Sequence, residues 1–202
     1  MAKVPVGSLS KFIPHFTIVN FDDVQDGAVV DNHYHSSHGV KFASVTDMPA
    51  RTWNTFARKS SDAQTPSNVV SVNQSGDPAF DANVGGIEAT FTAPQRYVCT
   101  SARPFIDTGP ENDVTQLGYP YLESFDHNGN FLDICHYPLA LGQPGWGDYR
   151  PLSLNSPTAI IAKVRFSCHP SAAKNAPIYG MFDRLLFTSD FVPRLNFPLG
   201  TG

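Results

Sequence analysis

The chain has 202 residues, of which 41% are hydrophobic and only 16% charged, and its formal net charge is -4. A chain of this length fits one large domain or at most two small ones, and it can bury about 70% of its unfolded surface. The absence of any Lys/Arg stripe argues against nucleic acid as a partner. No apolar run approaches the roughly 20 residues of a membrane-spanning helix. Low charge with many Ser, Thr, Asn, Gly and Pro residues is common on secreted proteins.

The N-terminal stretch, MAKVPVGSLSKFIPHF, lacks the uninterrupted apolar segment of a signal peptide. The protein is therefore either intracellular or a chain whose leader has been removed. We favour the second reading and expect an extracellular or cell-surface location. Three cysteines, Cys99, Cys135 and Cys168, form no C-x-x-C pair and allow at most one disulfide, whose partners the sequence leaves open.

Short runs of β-branched and aromatic residues, separated by turn residues, predict strands along the whole chain. Several alternate with period two: Ile87, Ala89 and Phe91 share one face of their run, and Val164 and Phe166 do so in a later one. No long window carries a helical apolar stripe, so helix should be scarce. The predicted strands cover residues 16–21, 39–45, 68–73, 86–93, 96–102, 121–126, 130–137, 159–168 and 181–188.

This spacing predicts an all-β fold, a single antiparallel β-sandwich, over residues 16–190, with an N-terminal extension at 1–15 and a C-terminal tail at 191–202. Asn128-Gly129 between two apolar runs predicts a hairpin turn. The Pro-rich stretches 101–114 and 139–154 are predicted to be long loops within the domain.

Three histidines within six positions, His33, His35 and His38, raise the question of a metal site. Imidazole is a common transition-metal ligand, so H-x-H-x-x-H could place two or three imidazoles around one ion. No second cluster elsewhere obviously completes such a site. We therefore interpret the run as an exposed polar loop.

The order of several motifs resembles galactose-binding-like β-sandwich domains of secreted bacterial proteins and carbohydrate-binding modules. The motifs are IVNFDDV followed by a tyrosine and GVKF, then TPSNVVSV, GGIEATFTAP, YLESFDHNGNFLD and the closing MFDRLLFT, and together they extend over residues 16–188. The resemblance implies a jelly-roll sandwich whose first and last strands are neighbours. It says less about function, because one fold hosts many kinds of site.

The same resemblance implies a structural calcium ion near the first and last strands. It nominates Asp22, Asp23 and Asp183 as carboxylate ligands, with loop carbonyls completing the oxygen shell that Ca²⁺ requires. The alternative is that Asp22 and Asp23 accept hydrogen bonds from a turn, while Asp183 pairs with a nearby arginine.

An aromatic residue on a glycine- and proline-rich loop is the best candidate for ligand binding. Trp146 lies in GQPGWGDYRPL, where a pyranose ring could stack on the indole while Asp148, Tyr149 and Arg150 bind its hydroxyl groups. Trp53 is a secondary candidate. The alternative is that these rings only cover the ends of the sandwich.

Enzymatic motifs are sparse: the sequence contains no G-x-S-x-G, P-loop, H-E-x-x-H or G-x-G-x-x-G. Cys135-His136 and Cys168-His169 are adjacent within predicted strands, so their side chains should point to opposite faces. We expect a non-catalytic, carbohydrate-binding (lectin-like) protein with a glycan or protein partner. The alternative is a structural or adhesive surface protein that assembles with itself or with another protein.

Overall fold

The computed structural model describes residues 14–45, 53–59, 63–64, 68–74, 86–104, 118–140, 142–170 and 180–192, without the side chains of residues 53, 71–74, 118, 168–170 and 180. These residues form one helical turn, α1 (His35–His38), and a set of strands. The strands are β1 (Thr17–Val19), β2 (Val40–Val45), β3 (Trp53–Lys59), β4 (Asn68–Gln74), β5 (Gly86–Gln95), β6 (Tyr97–Pro104), β7 (Gly118–Phe125), β8 (Phe131–His136), β9 (Arg150–Asn155), β10 (Ile161–Pro170) and β11 (Gly180–Thr188).

The strands form two antiparallel sheets, which confirms the predicted all-β sandwich. One sheet has six strands in the order β3-β4-β11-β6-β9, with β1 also pairing with β11. The other has five strands in the order β2-β5-β10-β7-β8. The pairing of β1 with β11 confirms that the first and last strands are neighbours. Within the described ranges, no helix is long and apolar enough to span a membrane.

The core lies between the two sheets and follows from the period-two alternation of the strands. Ile87 and Ala89 on β5 are fully buried, as is Val164 on β10. Phe166 of one sheet meets Phe182 of the other, with 5.0 Å between their ring centroids. The residues that the period-two pattern predicted to share a buried face therefore do point into the core between the two sheets.

Two strands were not predicted, and both lie at an edge of the six-stranded sheet. The predicted loop 139–154 is wrong from Arg150 onwards, where β9 begins. Pro151 suggested a loop, but an edge strand tolerates a residue that cannot donate a hydrogen bond on its open side. β3 reads WNTFARK, with few consecutive apolar residues, and was missed for that reason.

Residues 26–31, which precede β2, cover the open edge of β3 with main-chain atoms and carboxylates. Asp31 Oδ1 accepts the N–H of Thr55 at 2.8 Å, and Asp26 Oδ1 accepts that of Lys59 at 2.9 Å. Between them, Ala57 exchanges main-chain hydrogen bonds with the same segment. Unpaired edge strands invite pairing with other chains, so these carboxylates keep this edge closed.

Replacing Asp26 and Asp31 together with alanine should therefore promote association. The change leaves the N–H groups of Thr55 and Lys59 open at the sheet edge, where another strand can pair. Sedimentation velocity over a range of concentrations should show larger species than in the wild type. The control is Asp190→Ala, which removes a carboxylate bonded to the His15 N–H instead. Identical sedimentation of the two variants would show that these carboxylates do not protect the edge.

Candidate functional site

The loop that carries Trp146 is a series of tight turns leading into β9. Its main chain is bonded at three points, including Trp146 N–H to Gln143 O at 3.0 Å and Asp148 N–H to Gly145 O at 3.1 Å. Gly142, Gly145 and Gly147 adopt φ values of 84°, 77° and 92°. L-residues rarely adopt such values, so the glycines that flank Trp146 are required by the turns.

Trp146 is half-buried and packs against the hydrophobic core. Its indole Nε1 is buried and has no hydrogen-bond partner in the part of the chain that the structure describes. An unpaired buried donor is unusual. Contact with the core fixes the position of the indole ring, and the exposed part of the ring is available for contact with a ligand.

Asp148 and Arg150, two and four positions after Trp146, form an exposed ion pair. Arg150 Nη2 lies 3.5 Å from Asp148 Oδ2, and the Asp148 side chain is 66% exposed. The phenol of Tyr137 donates to the main-chain oxygen of Asp148 at 2.7 Å. The Tyr137 phenol is protonated at neutral pH and therefore a donor, and burial raises its pKa further. An exposed pair adds little stability, about 0–1 kcal/mol, which leaves both groups available to a ligand.

Two other sequence candidates are placed differently. The Tyr149 hydroxyl lies 3.8 Å from Met181 Sδ, and Arg103 lies over the Tyr149 ring at 5.8 Å. Tyr149 therefore packs towards β6 and β11. The side chain of Trp53 lies outside the described residues, so its predicted role stays a prediction.

Because Gly145 has no Cβ, the Asp148–Arg150 ion pair can lie directly against it. Substitutions at Gly145 and Gly142 test this contact. A Cβ at Gly145 would lie 2.5 Å from Arg150 Nη2, whereas a Cβ at Gly142 would meet nothing within 4 Å. Gly145→Ala and Gly142→Ala should both lose about 1–2 kcal/mol of unfolding free energy because of their positive φ. Only Gly145→Ala should shift the Arg150 Nε–H resonance in the NMR spectrum. An unchanged resonance would mean that the guanidinium does not lie over Gly145.

Two of the three aspartates nominated as calcium ligands accept hydrogen bonds within the fold, and the third is buried. Asp22 Oδ1 accepts the N–H of Asn68 at 2.9 Å. Asp23 accepts the phenol of Tyr34, and Asp183 is fully buried on β11. In the described part of the chain, no three His, Cys, Asp or Glu side chains converge to hold a metal ion. A structural calcium ion held by Asp22, Asp23 and Asp183, with loop carbonyls completing the oxygen shell, stays a prediction.

The histidine run surrounds a buried tyrosine. The rings of His33 and His38 contact the edge or face of Tyr34, with centroids 4.7 and 5.4 Å from its own. His35 and His38 are the ends of α1, which Gly39 terminates with φ 71°. The imidazoles of His33 and His38 thus pack beside Tyr34 in a polar segment on the surface.

Burial makes three tyrosines resistant to ionisation, which gives a pH-dependent stability. Burial, reinforced for Tyr34 by Asp23, raises the pKa of Tyr34 and Tyr137 above 10.0, and burial raises that of Tyr97 to about 12. The folded state holds these protons more tightly than the unfolded state, so the stability that these three groups contribute is fully present below pH 10.0 and is lost as the pH rises through their raised pKa values.

Absorbance titration should show this directly, because tyrosinate absorbs at longer wavelength. Tyr34, Tyr97 and Tyr137 should ionise only well above the ordinary tyrosine pKa, together with alkaline unfolding. Tyr34→Phe should have a smaller loss of stability above pH 10.0 than the wild type. Ionisation of Tyr34, Tyr97 and Tyr137 near the ordinary pKa, with the fold intact, would contradict the burial of these rings.

A polar cleft that was not predicted lies where β1, α1, β5 and β11 approach one another. It has a volume of about 310 Å³, and its lining includes His15, His38, Thr92, Gln95 and Asp190. The His15 imidazole lies 3.6 Å from the Asp190 carboxylate. The lining residues come from distant segments of the chain, so no local motif in the sequence marks this cleft.

No protein-family model and no curated protein sequence matches the chain. The K1 cleaved adhesin domain of Lys-gingipain from Porphyromonas gingivalis W83 is similar in structure, with 14% identity over 88% of this chain and 99% of that one and a TM-score of 0.46. The enzymatically active domain of tailspike protein 4 from bacteriophage CBA120 has 10% identity over 87% of this chain, 18% of that chain and a TM-score of 0.25. The strand pairing alone therefore establishes the β-sandwich.

Proposed function

We propose that the protein is a non-catalytic carbohydrate-binding module that works outside the cell or at its surface. The observation that supports this is the segment of residues 142–150, where a core-held Trp146 and an exposed Asp148–Arg150 pair follow one another on a hydrogen-bonded main chain. The galactose-binding-like, jelly-roll assignment and a structural calcium ion belong to the same proposal.

The chemistry of this loop suits a sugar. The C–H face of a pyranose is apolar and stacks on an aromatic ring, while its hydroxyl groups both donate and accept hydrogen bonds. Asp148 can accept such bonds and Arg150 can donate them. Their ion pair is exposed and exchangeable, so a hydroxyl can insert with little loss. The turns and the hydrogen bond from Tyr137 fix the loop before a ligand binds. Binding therefore costs less conformational entropy than it would for a flexible loop.

The test is a glycan array with the wild type, Trp146→Ala and Asp148→Asn, run with calcium and again with EDTA. Asp148→Asn keeps the size of the exposed side chain, so it should weaken binding without affecting the fold. The matched control is Asp133→Asn, an exposed aspartate on β8. Loss with EDTA would support the calcium ion. A blank array from the folded wild type would overturn the carbohydrate proposal.

An adhesive protein is the second candidate, and exposed apolar side chains favour it. Phe131 and Ile160 are 56% and 41% exposed, and exposed large apolar groups often mark contact sites for proteins. A lectin should bind its glycan as a monomer, whereas a self-assembling module should change size with concentration.

A further inference from the structure

A second cleft lies on the side of the sandwich where the edge strands β8 and β9 face each other. Its lining includes Leu132 and Asp133 from β8, Leu154 and Asn155 from β9, and Ile160 from the connection to β10. It therefore combines residues of both sheets. It shares no lining residue with the Trp146 loop.

The size of this cleft selects the kind of occupant. Its volume is about 180 Å³, whereas sites for free small molecules usually measure about 300–1,000 Å³. The space is suited to one inserted side chain. The exposed Phe131, next to Leu132 on β8, and Ile160 on the lining provide apolar contact area around such an anchor.

The lining has an apolar wall and acceptor groups. Leu154 and Ile161 are nearly fully buried and form the wall. Asp133 is the one charged residue among those that line the cleft, and one of its carboxylate oxygens accepts the N–H of Ile134 at 2.9 Å. The amide nitrogen of Asn155 donates to Val192 O, so its amide oxygen remains as an acceptor.

An aliphatic wall that leads to a carboxylate is complementary to lysine and arginine. Their methylene stems pack on apolar surface while the charged end remains at the polar rim. A charge-assisted bond to a carboxylate then fixes that end. We propose that this cleft is a docking pocket for a lysine or arginine side chain of a partner protein. The inference does not depend on carbohydrate binding.

The test uses a synthetic peptide library in which one central position carries Lys, Arg, norleucine, Ala or Glu. Norleucine keeps an unbranched apolar stem without the charge, so it separates packing from charge. The wild type should prefer Lys and Arg, and Asp133→Asn should weaken these peptides about ten- to hundredfold. Asp133→Lys should shift the preference to Glu. Phe131→Ala and Ile160→Ala, both at exposed positions, should weaken binding without unfolding the protein.

The control Asp148→Asn changes the proposed glycan loop and should bind the peptides as the wild type does. A failure of glycan binding and a failure of peptide binding are therefore seen separately. The proposal is overturned if no cationic peptide binds, or if the preference survives in Asp133→Asn. Self-association of the wild type that is lost in Asp133→Asn would also overturn it, because the occupant would then be a second copy of this chain.

Discussion

Replacing Asn68 with alanine should remove about 2–4 kcal/mol from the free energy of unfolding. The Asn68 amide donates to the main-chain oxygens of Phe21 and Val24, both at 2.9 Å, and the residue is 4% exposed. Without it, one buried and one partly buried carbonyl group lose their donor. Phe21 also adopts φ 62°, an unfavourable value for a bulky residue that the surrounding bonds must maintain.

Chemical denaturation measures this loss, and a second asparagine provides the control. Asn155 donates one bond of 3.3 Å to Val192 O and is only half-buried. Asn155→Ala should therefore cost about 1 kcal/mol or less. Equal losses in the two variants would show that Asn68 does not hold the turn that begins at Phe21.

Replacing Phe182 with alanine should cost about 3–5 kcal/mol, because it leaves a cavity between the two sheets. Phe182 is 1% exposed and packs on Phe166 across the core. Combining Phe182→Ala with Phe166→Ala should cost less than the sum of the single changes, since each removes part of the other's contact.

Phe131→Ala provides the matched control for this core substitution. The Phe131 ring is exposed at the end of β8, so its removal should change unfolding by roughly 0.5 kcal/mol or less. Calorimetry and denaturant titration of the three single variants measure these differences. A loss below about 1 kcal/mol for Phe182→Ala would contradict a closely packed interface between the sheets.

The strands could be predicted because their signals are local. In GIEATFTA the buried and exposed positions alternate as the sequence indicates, and Asn128-Gly129 lies in the turn between β7 and β8. β9 was missed because a proline such as Pro151 is compatible both with a loop and with an edge strand, and the neighbouring residues do not distinguish the two. Edge position is a property of the whole sheet, and the sequence around Pro151 does not contain it.

The loop that carries the candidate site could also be predicted from local signals, but the contacts of its side chains could not. Glycines around Trp146 marked a loop, and the structure places Asp148 and Arg150 in contact there. The bond from Asn68 to Asp22 joins residues 46 positions apart, so no neighbouring pattern showed that this carboxylate is engaged. Tyr149 is also placed by distant residues, Arg103 and Met181.

Fluorescence of Trp146 tests ligand binding at this loop most directly. The chain has two tryptophans, so Trp53→Phe leaves Trp146 as the one indole that reports. Titration of this variant with a mixture of glycans should give a saturable change in the emission of Trp146, and Asp148→Asn in the same background should weaken it. An emission spectrum that no glycan changes, from a folded variant, would contradict carbohydrate binding at this loop.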